Sequence, residues 1–272
     1  MASPCQVIIE APKGFDTEPL YKLASEEAWR IEKKFSRYRQ DNLLYRINQH
    51  EKCELDPETL SLLDFAQQCY ELSDGLFDVT SGVLRKIWNF KAIQSLPSQA
   101  SVDELLPFIG FDKVLRHGNT IELPKGMSLD LGGIGKEYAV DKCWQILKQN
   151  CPFPFLINFG GDLRVSGPRL NGNNWRSGIE NPEGVKPTTV IEIKQGAITT
   201  SGTTIQHFTF NGVRYGHILN PKTGWPVERP PLSITVAAST CIEAGLLSTL
   251  AMLQGENART FLEEQGVSFW LQ

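Results

Sequence analysis

The chain switches between two hydrophobic periods. Val7, Ile8 and Ile9 make residues 5–10 a short strand-like run. From 17 to 35 the period lengthens, with Leu20, Leu23, Ala24, Ala28, Ile31 and Phe35 three or four apart. That spacing predicts an amphipathic helix whose stripe faces a core. A second helix opens at Asp56-Pro57-Glu58, with proline at the first helical position. It carries Leu60, Leu63, Phe65, Ala66, Cys69 and Leu72, and Ser73-Asp74-Gly75 closes it. Residues 92–103 are polar, include Pro97, and read as a surface loop. Residues 128–131 read as a short strand and 137–149 as a helix. Phe155 to Phe159 reads as a buried strand, which Gly160-Gly161-Asp162 turns into Leu163-Arg164-Val165 as a hairpin.

Further strands are predicted near 189–194, 197–200, 206–210 and 213–219, followed by a turn at Asn220-Pro221-Lys222-Thr223-Gly224. Strand 232–238, helices 241–253 and 256–265, and strand 267–271 finish the chain. Hairpin signals outnumber strand–helix–strand repeats. The pattern therefore predicts an α+β fold, with mixed or antiparallel sheets flanked by helices, over a doubly wound parallel one. No internal repeat or linker divides 1–272, which is expected to be one domain. The loop at 92–103 is a candidate seam between two lobes.

Composition narrows the function classes. With 272 residues, 41% of them hydrophobic, the chain can build a sizeable core. Its 27 basic and 31 acidic residues give a formal charge of −4, and no basic stripe exists, which argues against nucleic acid as a partner. None of the six cysteines forms a C-x-x-C pair, which argues against a zinc knuckle. Scattered thiols suit a reducing compartment, although a Cys143–Cys151 bridge stays open. No run reaches the roughly 18 apolar residues of a membrane span, and no signal-peptide pattern opens the chain. The expectation is a cytoplasmic protein as the sequence stands, or one whose N-terminus was trimmed.

The chemistry-bearing stretch is Asp130-Leu131-Gly132-Gly133-Ile134-Gly135-Lys136-Glu137. Glycines between a strand-like and a helix-like run let backbone approach a ligand, and a helix start offers N–H groups to an anion. A Walker loop needs glycine where Asp130 stands and Ser or Thr where Glu137 stands, and G-x-G-x-x-G is also absent. What remains is a phosphate cradle or a plain tight turn. Thr199-Thr200-Ser201-Gly202-Thr203-Thr204 offers hydroxyls suited to phosphate oxygens. His217 ends a strand-like run just before the rigid Asn220-Pro221 turn, where an imidazole can serve as a general base. His50, His117 and His207 have no partner spacing. On the helix beginning at 241, positions 245 and 249 face the same way. A carboxylate at 245 would pair with Thr249 as a hard-metal site, but the residue is Gly245.

Taken in order, these stretches resemble the ApbE family, the FAD:protein FMN transferases. Met1-Ala2-Ser3-Pro4 is similar to M-G-T-P, and Phe35-Ser36-Arg37-Tyr38 through Asn48 to F-S-x-[YW]…N. Asp74-Gly75-Leu76-Phe77-Asp78-Val79-Thr80 matches D-G-x-[FY]-D-x-T. The glycine loop through Asp141 resembles D-L-G-[GA]-[IV]-[AG]-K-G-Y-x-x-D, and Asn158 to Asp162 resembles N-x-G-G-D. Trp175, Gly178-Ile179 and Asn181-Pro182, then Thr200-Ser201-Gly202 and His217 to Gly224, complete the set.

The resemblance implies an enzyme that binds FAD and Mg²⁺, attaches FMN to a Thr or Ser of an acceptor flavoprotein, and releases AMP. Tyr38 would stack on a ring of FAD, and Asp78, Val79, Thr80 and Ser81 would line its nucleotide end. Asp130 and Lys136 would contact FAD, with Met1, Ser201, Gly202 and Ile218 completing the cofactor-binding set. His217 would be the base. Gly133 would give a carbonyl and Thr249 a hydroxyl to the metal. Members are commonly exported lipoproteins, which implies a periplasmic alternative for the compartment.

Four positions depart from the family pattern. Gly245 stands where a metal-binding Asp is usual, and Glu137 where a glycine follows the lysine. Asn42 replaces a serine, and Asn220 replaces an aspartate. Glu243 is the acid nearest the missing ligand, but lies about 200° round the helix and would help only if the helix starts late. Restoring the acid by Gly245→Asp is expected to tighten Mg²⁺. Two other readings remain: an FAD-binding or trafficking protein with little transferase activity, and a Mg²⁺-dependent FAD pyrophosphatase.

Overall fold

A computed structural model describes residues 3–90, 92–180, 189–203 and 207–272. Met1, Asn181-Pro182 and Thr204 lie outside the described residues. The first half runs β1 (Cys5–Ile9), α1 (Glu18–Phe35), α2 (Leu43–Asn48), β2 (Cys53–Glu54), α3 (Pro57–Leu72), a 3₁₀ segment (Val79–Lys86), α4 (Gln99–Asp103), β3 (Leu115–His117) and β4 (Thr120–Glu122). The second half runs α5 (Gly135–Asn150), β5 (Phe155–Phe159), β6 (Asp162–Val165), β7 (Trp175–Ile179), β8 (Thr189–Ile193), β9 (Gly196–Gly202), β10 (His207–Phe210), β11 (Val213–Gly216), β12 (Ser233–Ala238), α6 (Cys241–Leu253), α7 (Ala258–Glu264) and β13 (Ser268–Leu271).

A six-stranded sheet in the order β1-β5-β6-β9-β12-β13 organises the molecule. Smaller sheets are β2-β4-β3, β7-β8 and β10-β11. Every strand pairing among the described residues is antiparallel, as the hairpin-rich pattern predicts. Strand alternation buries both faces of the large sheet. On β5, Phe155, Ile157 and Phe159 enter the main core with Ile31 and Phe35 of α1 and Ala139, Cys143 and Leu147 of α5. Leu156 points the other way, to Val165, Trp175, Ile191 and Ile198. Gly160 (φ 60°) and Gly161 (φ 98°) form the two-residue β5–β6 turn. Positive φ at both positions is what a primed hairpin turn requires.

The long helices match the expected spans, with Asp56 capping α3 through the Thr59 N–H at 3.0 Å. Residues 128–131 do not join a sheet. Asn48 holds Leu129 by accepting from its N–H and donating to its carbonyl, at 2.7 and 3.0 Å, and the Asp130 N–H reaches the Val79 carbonyl at 2.7 Å. These bonds take the place of a strand partner, so the segment is extended without being sheet. Strand β11 stops at Gly216, short of the predicted end at 219, because its pairing with β10 runs only to His207. A short helix, α4, occupies part of the predicted loop at 92–103, capped by Ser98. All six cysteines are free, so the Cys143–Cys151 bridge does not form.

Asp141 fastens the second half together. Its carboxylate accepts from the N–H groups of Cys241 and Ile242 at 3.0 and 2.9 Å, and from Arg164 at 2.6 Å. One buried acid on α5 thus caps the start of α6 and anchors β6. Asp141→Asn keeps the volume and removes the charge. We expect it to lower stability by about 2 kcal/mol, since hydrogen bonds to a charged group contribute about 1.5–3 kcal/mol. A urea midpoint equal to that of the wild type would refute this role.

Candidate active site

The site forms where the 3₁₀ segment, the glycine loop, the β11–β12 connection and α6 meet. Asp78 caps the 3₁₀ segment, accepting from the Thr80 N–H at 2.7 Å and the Thr80 hydroxyl at 2.6 Å. Burial raises the Asp78 pKa against the lowering effect of these bonds. Thr80 in turn accepts from the Gly110 N–H at 2.8 Å. Gly82 is where the segment meets the glycine loop: a Cβ there would lie 2.7 Å from the Asp130 Cβ. The 3₁₀ segment can therefore lie against Asp130 only because position 82 has no side chain.

Asp130 sits between two arginines. Arg37 donates to its Oδ2, Arg85 Nε donates to the same oxygen at 2.6 Å, and the Gly132 N–H reaches Oδ1 at 2.9 Å. Burial pushes the Asp130 pKa up, but Arg85 and Arg37 outweigh it and hold it below the ordinary range. Arg37 also lies over the exposed Tyr38 ring, 4.6 Å from its centre.

Residues 218–227 fold back on themselves. The Val227 N–H donates to the Ile218 carbonyl at 3.1 Å and the Asn220 N–H to the Trp225 carbonyl at 2.8 Å. Asn220 Oδ1 accepts from the Lys222 N–H at 2.9 Å, a turn bond that Asn makes as well as Asp. Gly224 has φ 73°, and a Cβ there would be 2.5 Å from Val102 Cγ1. Its carbonyl accepts from the buried indole of Trp88 at 2.8 Å. His217 stands where the chain leaves the β10–β11 hairpin and enters this fold-back.

These elements enclose a cavity of about 140 Å³, lined by Asp78, Val79, Ser81, Arg85, Asp130, Gly133, His217, Ile218 and Thr249 among others. Eight residues singled out from sequence thus share one cavity, and Arg85 joins them. Nothing in the sequence pattern marked Arg85, because its partner Asp130 lies 45 positions away. Ser201 is adjacent, 3.3 Å from the Thr249 hydroxyl and 2.9 Å from that of Ser248.

The other expected site residues stand elsewhere. The Thr80 side chain is fully buried, and Tyr38 is 68% exposed and outside the cavity lining. Gly202 closes β9 opposite Ser233. Glu243 is exposed and accepts from the Ser239 N–H at 3.2 Å, while Thr240 accepts from the Glu243 N–H at 3.3 Å. This reciprocal cap starts α6 on time, so Glu243 is held away from the site. Lys136 pairs with Asp162 at 2.5 Å and does not line the cavity.

Beside the cavity Lys136, partly exposed, meets two buried acids, Glu137 and Asp162. Glu137 and Asp162 are almost wholly enclosed, and burial raises both pKa values. Each also feels its neighbours: the Asp162 charge pushes Glu137 further up, while Lys136 pulls Asp162 down. Glu137 Oε2 has no hydrogen-bond partner. Among the described residues no group of three His, Cys, Asp or Glu converges on one point. A hard cation here would instead draw on mixed oxygen donors, which suits Mg²⁺.

Comparison with known proteins gives the family and the fold. The sequence profile of the ApbE family matches residues 1–271. The FAD:protein FMN transferase of Vibrio cholerae serotype O1 is 31% identical over 259 residues, covering 91% of this chain and 77% of that protein. Its namesake from Escherichia coli K12 is 28% identical over 250 residues, covering 87% of this chain and 71% of that one. The crystal structure of the ApbE protein from Thermotoga maritima superposes with a TM-score of 0.90 at 31% identity, covering 99% of this chain and 90% of that one. Flavin transferase ApbE from Vibrio cholerae superposes at 0.87 with 27% identity, covering 100% and 90%.

Proposed function

The chain belongs to the ApbE family, and from that premise we propose how its cleft performs FAD:protein FMN transfer. FAD is the substrate and a flavoprotein is the acceptor. In the detailed reading, a Thr or Ser hydroxyl of the acceptor attacks the FMN-side phosphorus of FAD. The P–O bond to the AMP half breaks, and AMP leaves. Residues 1–272 act as one transferase unit.

A hydroxyl is a poor nucleophile until its proton is taken. His217 is the base for that proton, at the rim of the fold-back. Asp78, Val79, Ser81 and Ile218 line the wall for the nucleotide. Arg85 adds a cation that Asp130 holds in place. The Gly133 carbonyl and the Thr249 hydroxyl would be donors for Mg²⁺, and the Glu137 side chain, whose Oε2 has no hydrogen-bond partner, packs against Gly245, one turn before Thr249. When bound, the metal neutralises charge on the pyrophosphate oxygens. The observation that carries the reading is the convergence of His217, Asp130, Gly133 and Thr249 on one cavity.

The test is incubation with FAD, Mg²⁺ and a folded acceptor domain bearing a threonine. The expected result is a fluorescent acceptor band on a denaturing gel, with AMP released in equal amount. AMP without a labelled acceptor would replace the reading with FAD hydrolysis. Bound FAD with neither product would replace it with a binding or trafficking role. As to compartment, no helix among the described residues is long and apolar enough to cross a membrane.

A further inference from the structure

Two departures from the family pattern, Gly245 and Glu137, meet in space. A Cβ on Gly245 would lie 2.5 Å from Glu137 Cγ and 3.1 Å from both Glu137 Cδ and Oε1. The carboxylate of Glu137 therefore fills the volume that a side chain at 245 would enter. Both helices place it there. Gly245 is on the buried face of α6, one turn before Thr249, and Glu137 is in the first turn of α5. With Glu137 placed as it is, a side chain at 245 has room only if Glu137 moves.

The Glu137 carboxylate is also incomplete as it stands. It is almost wholly buried, yet Oε2 has no hydrogen-bond donor. A buried carboxyl oxygen without a partner is costly and usually marks a missing proton, water or ion. Lys136 is committed to Asp162 at 2.5 Å. Hydroxyls crowd the same side of α6: Ser248 donates to the Gly245 carbonyl at 3.1 Å, and Ser201 lies 3.3 Å from Thr249. Hard oxygen donors thus line the stretch of α6 from Gly245 to Thr249, against which the Glu137 side chain packs.

We propose that Glu137 supplies the carboxylate for the divalent cation of this site, so that α5 donates the charge that α6 lacks at Gly245. The two departures are then one compensated exchange. The inference rests on the transferase reading only for the presence of a cation. It also reverses the expectation that Gly245→Asp alone would tighten Mg²⁺. With Glu137 present, the new side chain would collide with Cγ and set two carboxylates against each other.

The experiment measures Mn²⁺ binding by the EPR signal of the free ion, without turnover. Wild type, Glu137→Gln and the exchanged pair Glu137→Gly/Gly245→Asp are compared. Metal-free FAD binding, by flavin fluorescence, shows that each protein is folded. Glu137→Gln is expected to weaken Mn²⁺ about tenfold or more, because affinity follows ligand charge. The exchanged pair is expected to recover most of the loss. Wild-type Mn²⁺ affinity in Glu137→Gln overturns the proposal. So does a wild type that binds no Mn²⁺, and so does equal weakness in both variants, which would leave Glu137 a structural acid. A wild type that binds no FAD counts against the transferase reading itself, while the Mn²⁺ series still decides the role of Glu137.

Discussion

His217→Ala is expected to lose at least about 10²-fold in the rate of acceptor labelling while FAD still binds. General-base catalysis contributes about 10²–10⁴-fold, and nothing else in the cavity replaces an imidazole at neutral pH. The other titratable groups of the lining are committed. Arg85 and Asp130 hold one another at 2.6 Å, and Asp78 is tied to Thr80 at 2.7 and 2.6 Å. Because His217 sits at the junction after Gly216, truncation removes the ring without opening the main core. Single-turnover labelling at saturating FAD isolates the proton step, and flavin fluorescence gives the affinity separately. A variant that labels its acceptor at the wild-type rate would remove His217 from the base role. A variant that loses FAD affinity in proportion to rate would make it a binding residue instead. His217→Gln provides a further check: it restores polarity and bulk but should not restore the rate.

The parts of this architecture that were readable in sequence are those fixed by local spacing. The stripe of α1, the cap at Asp56 and the turn at Gly160-Gly161 each depend on residues within a few positions of one another. Each appears where expected. Residues 128–131 misled for the same reason. Ser128-Leu129-Asp130-Leu131 alternates like a strand, but its backbone partners are the Asn48 side chain and the Val79 carbonyl, which alternation cannot reveal. Strand β7 was not marked because Trp175–Ile179 contains Arg, Ser and Gly, and follows a Gly- and Asn-rich stretch. The site divides similarly. His217, Gly133 and Thr249 were readable through motifs. The arginine pair on Asp130 bridges 93 and 45 positions, and no spacing rule reaches so far. The contact between 137 and 245 is the sharpest case. Each position stood out alone, and only the packing of α5 on α6 brings them together.

Lys136→Met is expected to destabilise the protein by about 2–3 kcal/mol, because it leaves the buried Asp162 without the charged donor it accepts from, while the lysine itself is partly exposed. Its motif position suggested a ligand contact, but its ammonium is turned to Asp162 at 2.5 Å, beside Glu137. Burial alone would lower the Lys136 pKa, yet Asp162 and Glu137 outweigh it and raise it. Lys136 thus pairs with Asp162 and supplies positive charge that Glu137 also feels, and methionine would remove it from both acids. A double-mutant cycle separates this from simple loss of packing. In Lys136→Met/Asp162→Asn the amide can donate to Glu137, so part of the loss should return, by at least about 1 kcal/mol for neighbours that share a network. Urea midpoints in chelator-treated buffer measure both steps. If Lys136→Met matches wild-type stability and loses only FAD affinity, the lysine acts on the ligand and the ion pair is incidental. If the double variant is as unstable as the sum of its parts, the two residues are not coupled. The expected coupling would instead mean that Lys136 fixes Asp162 and Glu137 at the back of the site, so that the glycine loop presents backbone to the nucleotide while its lysine holds the acids behind it.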